Sequence, residues 1–125
     1  MHRHIHIRSA KLVLRWCKWK YGPSLFADVR TLKIVIDTNI GDHFGQYVQY
    51  DNVISLNPMR FKSLVMWCNI IIHEYTHFTQ DMREYFAKYG NRYKSHPYEI
   101  KANYIAKRDQ WEARRWLLTK LEPNS

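Results

Sequence analysis

NPMRFKSLVMWCNIIIHEYTHFTQDMREYFAKYGN, residues 57–91, decides how this chain folds. Asn57-Pro58 is a helix start, with Asn as the cap and Pro at the first helical position. Phe61, Leu64, Cys68, Ile71, Tyr75, Phe78, Met82, Tyr85 and Tyr89 then step by threes and fours, and Gly90-Asn91 ends the stripe. One helix of that length would reach roughly 45–50 Å. That is too long for the domain, so a break or bend is predicted within it. Between Leu64 and Ile72 the segment is apolar almost all round, which predicts burial on both sides.

Working outward, Gln46–Tyr50 and Val53–Leu56 read as strands, with Asp51-Asn52 as a turn that permits only an antiparallel hairpin. Residues 31–37 (TLKIVID) are β-branched and read as a further strand. Residues 9–21 read as a helix that buries Ala10, Leu14, Cys17 and Tyr21, stopped by Gly22-Pro23. After a loop at Gly90–Ser95, His96-Pro97 opens a basic helix to about Leu121. The order predicts a single α+β domain over 1–125: an N-terminal helix, a small antiparallel sheet of about three strands, the long helix and a C-terminal helix. His2, His4 and His6 alternate as one face of an extended or frayed segment over 1–8 would.

Composition bounds the function. The apolar and aromatic fractions, 46% and 15%, support one packed core and argue against disorder. No apolar run is long enough to span a bilayer, and Arg8, Lys11, Arg15 and Lys18 interrupt any signal-peptide core, which predicts no membrane partner and a cytoplasmic protein. Two cysteines make neither a disulfide framework nor a Cys-based zinc knuckle. A net charge of +9 favours polyanions or acidic surfaces without choosing between them.

Chemistry enters at His73-Glu74-Tyr75-Thr76-His77, an HExxH pattern. On a helix, residues four apart lie one above the other, so both imidazoles reach one metal ion. Glu74 is rotated aside, where it can hold a metal-bound water without itself being a ligand. The plainer alternative is two core histidines beside an unrelated Glu. A catalytic zinc takes three protein ligands and leaves one position for water. The extended HExxHxxGxxH pattern fails, because Gln80 and Arg83 stand where it needs Gly and His. SHPYEIKANYIA follows with two candidates for the third ligand, His96 and Glu99. Glu99 fits better, since Ala102 and Ala106 on its face let two helices approach. Otherwise Glu99 is a first-turn acid and His96 a cap. Asn103, one turn beyond Glu99, could hydrogen-bond the outer nitrogen of a ligating histidine.

HEYTH followed by HPYEIKANYIA resembles the HExxH…E arrangement of gluzincin metallopeptidases, most closely the small single-domain minigluzincins and similar phage and prokaryotic enzymes. YVQYDNVISLNP looks like their strand leading into the active-site helix. The resemblance spans about residues 9–120, with only those two motifs specific. It implies a minimal zincin-like fold and a zinc-dependent endopeptidase acting on peptides or proteins. One Zn2+ would be held by His73, His77 and Glu99, with Glu74 as the base. Asn103 stands where larger gluzincins carry an Asp. Tyr98, Tyr93 and His96 are candidates for the group that meets the oxyanion. A peptide could add along the strand edge Gln46, Tyr47, Val48, Gln49 and Tyr50.

A second reading, from a different class, is a basic nucleic-acid- or protein-binding module with a structural or vestigial metal site. Lys107, Arg108, Arg114 and Arg115 lie near Trp111 and Trp116, and basic residues among aromatics can stack on single-stranded nucleic acid. Oligomeric state is not legible in the sequence.

Overall fold

A computed structural model of the chain describes residues 3–41, 43–89 and 96–121. Helix α1 (Arg3–Tyr21) leads to strands β1 (Lys33–Ile36), β2 (Gly45–Val48) and β3 (Val53–Leu56). A 3-10 turn at Pro58–Arg60 precedes helices α2 (Leu64–Phe78), α3 (Met82–Tyr89) and α4 (Pro97–Leu121). The described residues thus form an α+β fold of four helices and one three-stranded sheet.

The sheet is mixed, not antiparallel throughout. Its order is β1-β3-β2, with β2 antiparallel to β3 and β1 parallel to β3. The hairpin forms as its short turn requires. The longer connection after β1, however, crosses to the far edge, so β3 returns between β1 and β2 running the same way as β1. Ile34, Ile54 and Tyr47 stand in register as one buried row across the sheet.

The hairpin turn begins earlier than the residue pattern suggests. Gln49 and Tyr50 belong to the turn, and Tyr50 is fully solvated. Asn52 takes φ 53°, a left-handed conformation that Asn tolerates best after Gly. Its amide donates to the Asp28 carbonyl and the Thr31 hydroxyl, and its carbonyl accepts from the Tyr47 hydroxyl, which fixes the corner.

The long apolar stripe breaks twice, each time at a capping residue. Asn57 accepts from the Met59 N–H but caps only the 3-10 turn; Ser63, accepting from the Met66 N–H, caps α2. After Phe78, Asp81 accepts from the N–H groups of Arg83 and Glu84 and starts α3. Local capping wins over a continuous stripe because each new helix end regains lost backbone hydrogen bonds. The predicted stop at Gly90-Asn91, the loop to Ser95 and Tyr93 lie outside the described residues.

Helix α2 is the centre of the molecule, buried at every position from Ile71 to Phe78. Helix α4 packs along it through Ala102, Ala106 and Ala113, all fully buried, whose small side chains permit close approach. Helix α1 begins at Arg3, so residues 3–8 of the segment expected to be extended or frayed are helical, while Met1 and His2 lie outside the described residues; the His6 ring lies 5.4 Å from that of Trp67. Tyr21 donates to Asp109, which Arg108 also holds through two hydrogen bonds, tying α1 to α4. Among the described residues no helix is long and apolar enough to cross a membrane.

Candidate metal centre

Three buried side chains from two helices converge. His73 and His77 project from α2 one turn apart, with their Nε2 atoms 3.2 Å from each other. Glu99, in the first turn of α4, places Oε1 2.7 Å from His73 Nε2 and Oε2 3.0 Å from His77 Nε2. All three residues are less than a tenth exposed. Four ligands at about 2.0–2.1 Å around a tetrahedral zinc stand roughly 3.3 Å apart. The observed separations are close to that, so the cluster fits a metal ion.

The proton arrangement points the same way. Gln80 Oε1 lies 2.7 Å from His77 Nδ1, and the Gln80 amide donates to the Tyr98 carbonyl. With its amide nitrogen committed as donor, Gln80 can only accept from Nδ1–H, which leaves the His77 Nε2 lone pair facing the cluster. In the neutral imidazole that lone pair stands 3.0 Å from the buried Glu99 Oε2, so a cation fits between them. Without a metal ion the place is taken by the proton that His77 gains beside Glu99, which a bound metal would displace.

The electrostatics are those of tightly coupled groups. Burial opposes ionisation of Glu99, but the two imidazoles together outweigh it and hold the carboxyl down at about 2. Burial works against the charged form of His77, yet Glu99, Glu74 and Gln80 together raise its pKa. Burial raises the pKa of Glu74, partly offset by the histidines. Glu74 is not in the ligand cluster. Its Oε1 accepts from the Tyr47 N–H at 2.9 Å, so the edge strand aims the carboxylate.

A cleft of about 290 Å³ opens on this site. Gly45, Gln46 and Tyr47 of β2 form one wall with His43 from the preceding loop; Met82, Tyr85 and Phe86 of α3 form the other, above Glu74, His77 and Glu99. Gly45 must be glycine: a Cβ there would stand 2.7 Å from Ile70 Cγ2 and 3.4 Å from Glu74 Cγ. Of the expected strand edge, Gln46 and Tyr47 line the cleft, while Gln49 and Tyr50 line a different hollow beside Phe26 and Arg83. Val48 is the last residue of β2.

The other expected residues take different places. His96 is fully buried and both its ring nitrogens are used: Nδ1 accepts from the Tyr98 N–H and Nε2 reaches the Tyr85 carbonyl. It caps α4 and stands outside the cluster, so Glu99 is the third donor. Tyr98 turns its hydroxyl to Glu84. Asn103 is exposed and reaches neither histidine, a correction with a simple cause: Ala102 and Ala106 define the buried face of α4, and Asn103 is rotated off it. Gln80 takes the part expected of Asn103. Its position three residues after His77, one turn along the same side, was the signal available for it. Tyr85 carried no such signal, because it continues the apolar stripe; its ring stacks on His96 at 3.8 Å, and burial, then the neighbouring Glu99, pushes its phenol up to about 12. His43, in a loop, carried none either.

Compared with family models, curated proteins and solved structures, the chain matches none. Its function must be argued from the site.

Proposed function

We propose that this protein is a zinc-dependent metallopeptidase of the HExxH…E, gluzincin type on a minimal zincin-like domain. The observation that carries the reading is the buried His73, His77 and Glu99 cluster with Glu74 beside it and a cleft in front. Two imidazoles and one carboxylate are a donor set suited to zinc. A zinc ion held there supplies Lewis acidity to a water molecule and to a substrate carbonyl.

The chain's own residues do the rest. Glu74, its pKa raised by burial, takes the proton of the attacking water and returns it to the leaving amine. The Tyr47 N–H steadies that carboxylate, and Gln80 keeps His77 in the tautomer that presents Nε2. The Tyr85 phenol and the His43 ring line the cleft and are our candidates for the donors that would meet the oxyanion. A peptide would lie along the β2 wall, with an apolar side chain toward Met82 and Phe86.

The test is elemental analysis of the tagless chain beside His77→Ala, followed by hydrolysis of a quenched peptide library with Glu74→Gln as control. One equivalent of zinc in the wild type, lost in His77→Ala, and hydrolysis abolished by Glu74→Gln are expected. Absence of metal after zinc loading, or full hydrolysis by Glu74→Gln, would overturn the reading.

A further inference from the structure

A second feature lies away from the cleft, where α1 crosses the C-terminal half of α4. Helix α1 carries Arg8, Lys11, Arg15, Lys18 and Lys20 and no acidic residue. Arg8, Lys11 and Arg15 recur at helical spacing on its exposed side. Two adjoining hollows of about 500 and 460 Å³ share Arg15; the first is lined by Arg8 and Lys11, the second by Trp19 and Trp116. Lys120 stands beside them, its ammonium near the Trp116 ring and its carbonyl accepting a hydrogen bond from Arg8. No carboxylate among the described residues pairs with any of these four cations; the nearby Glu112 is engaged by Lys20.

Two kinds of aromatic group meet there. Trp116 is half-buried, with the Arg15 guanidinium 5.8 Å and the Lys120 ammonium 5.6 Å from its ring. Such contacts hold the two cations in place, which lowers the entropy lost when an anion binds them. Trp19 is 75% exposed and offers a free indole face at one end of the groove. A row of steadied cations beside an open indole is the pairing that single strands require, phosphates on the cations and a base on the ring.

We infer that the α1–α4 groove binds single-stranded nucleic acid, its phosphates held by Arg8, Lys11, Arg15 and Lys120 and a base stacked on Trp19. A membrane surface fits less well. A basic helix lies on lipid through an apolar face, but the apolar face of α1 (Val13, Leu14, Cys17) is already buried in the core. A duplex fits less well too, since its stacked bases offer nothing to an indole.

The test uses the full chain and a fluorescein-labelled 20-nucleotide thymidine strand, read by anisotropy at several salt concentrations. Four phosphate contacts predict a log–log salt slope near −3 and a loss on the order of 50-fold between 50 and 200 mM salt. Arg15→Ala should flatten the slope by about 0.7. Trp19→Ala should weaken binding on the order of tenfold or more with the slope unchanged. Both side chains are exposed, so their loss leaves the core intact, and thermal melts would show it. Asn103→Ala, on another part of α4, should bind as the wild type does. No binding at 50 mM salt, equal affinity for a duplex of the same length, or no effect of Trp19→Ala would overturn the inference. Binding only to phosphatidylserine vesicles would overturn it in favour of a lipid surface.

Discussion

Helix α4 takes part in two charged regions that obey opposite rules. Near its N-terminus, Glu99 meets His73 and His77 in the interior, where every charge needs a partner and the partners fix one another's geometry. Near its C-terminus, Lys120 and Trp116 join the cations of α1 in the open, where water serves any charge without a partner. Buried groups therefore declare their purpose through their constraints. Exposed ones do so only through their arrangement: a stripe of cations is ordinarily a solvated face, and only the adjoining indoles separate this groove from one.

The contrast can be broken most sharply at Glu74. Glu74→Gln should retain stoichiometric metal and lose peptide hydrolysis on the order of 10²–10⁴-fold, measured side by side on one preparation. Gln80→Leu tests whether the interior geometry is set from outside the cluster. It should lower zinc affinity roughly 10–100-fold in a competition titration with a chelator, while Asn103→Ala changes it little. Gly45→Ala probes the packing that aims Glu74; the Cβ clash with Ile70 should cost about 1–3 kcal/mol in urea unfolding.

A pH series sharpens the same comparison. In the chelator-stripped protein, the raised pKa of His77 contributes stability below the unfolded histidine value near 6.5, lost as pH rises through the folded value. The lowered pKa of Glu99 contributes stability above the unfolded value near 4.3, lost as pH falls toward about 2. Chelator-stripped protein should thus be most stable between those limits. Zinc must displace the His77 proton, so its affinity should climb as pH rises through the folded value of His77. A flat affinity between pH 5 and 8 would show that the histidine does not bind metal. Smallest of all, Asn103→Ala should leave unfolding within about 0.5 kcal/mol of the wild type, as for any solvated position without partners.

Much of the fold was legible because periodicity and capping are local. Pro97 and Leu121 bound the last helix as read, and the central stripe breaks as its length demanded. Helix α2 starts at the Ser63 cap rather than at Asn57, and the second break falls at Asp81, because several polar residues compete to cap and packing chooses among them. The direction of β1 was not legible. A strand's residue pattern is the same whether its neighbour runs with it or against it, and only the path of the connection after Ile36 decides. The candidate site divides likewise. HEYTH places two imidazoles and a carboxylate through helix geometry alone, and the small residues on the Glu99 face already favour Glu99 over His96; that both nitrogens of His96 are spent on Tyr98 and Tyr85 is visible only in the packed structure.

By itself, then, the sequence determined the helix that carries His73, Glu74 and His77, the helix that carries Glu99, and the excess of positive charge. Spacing along one helix is a matter of 3.6 residues per turn and needs no partner. Only the tertiary structure decided that Gln80 and not Asn103 orients His77, that Tyr47 holds Glu74, and that the cations of α1 lie against Trp116. Those are contacts between elements distant in the chain, set by how the faces of α1, α2, α4 and the sheet pack, and no local pattern records them.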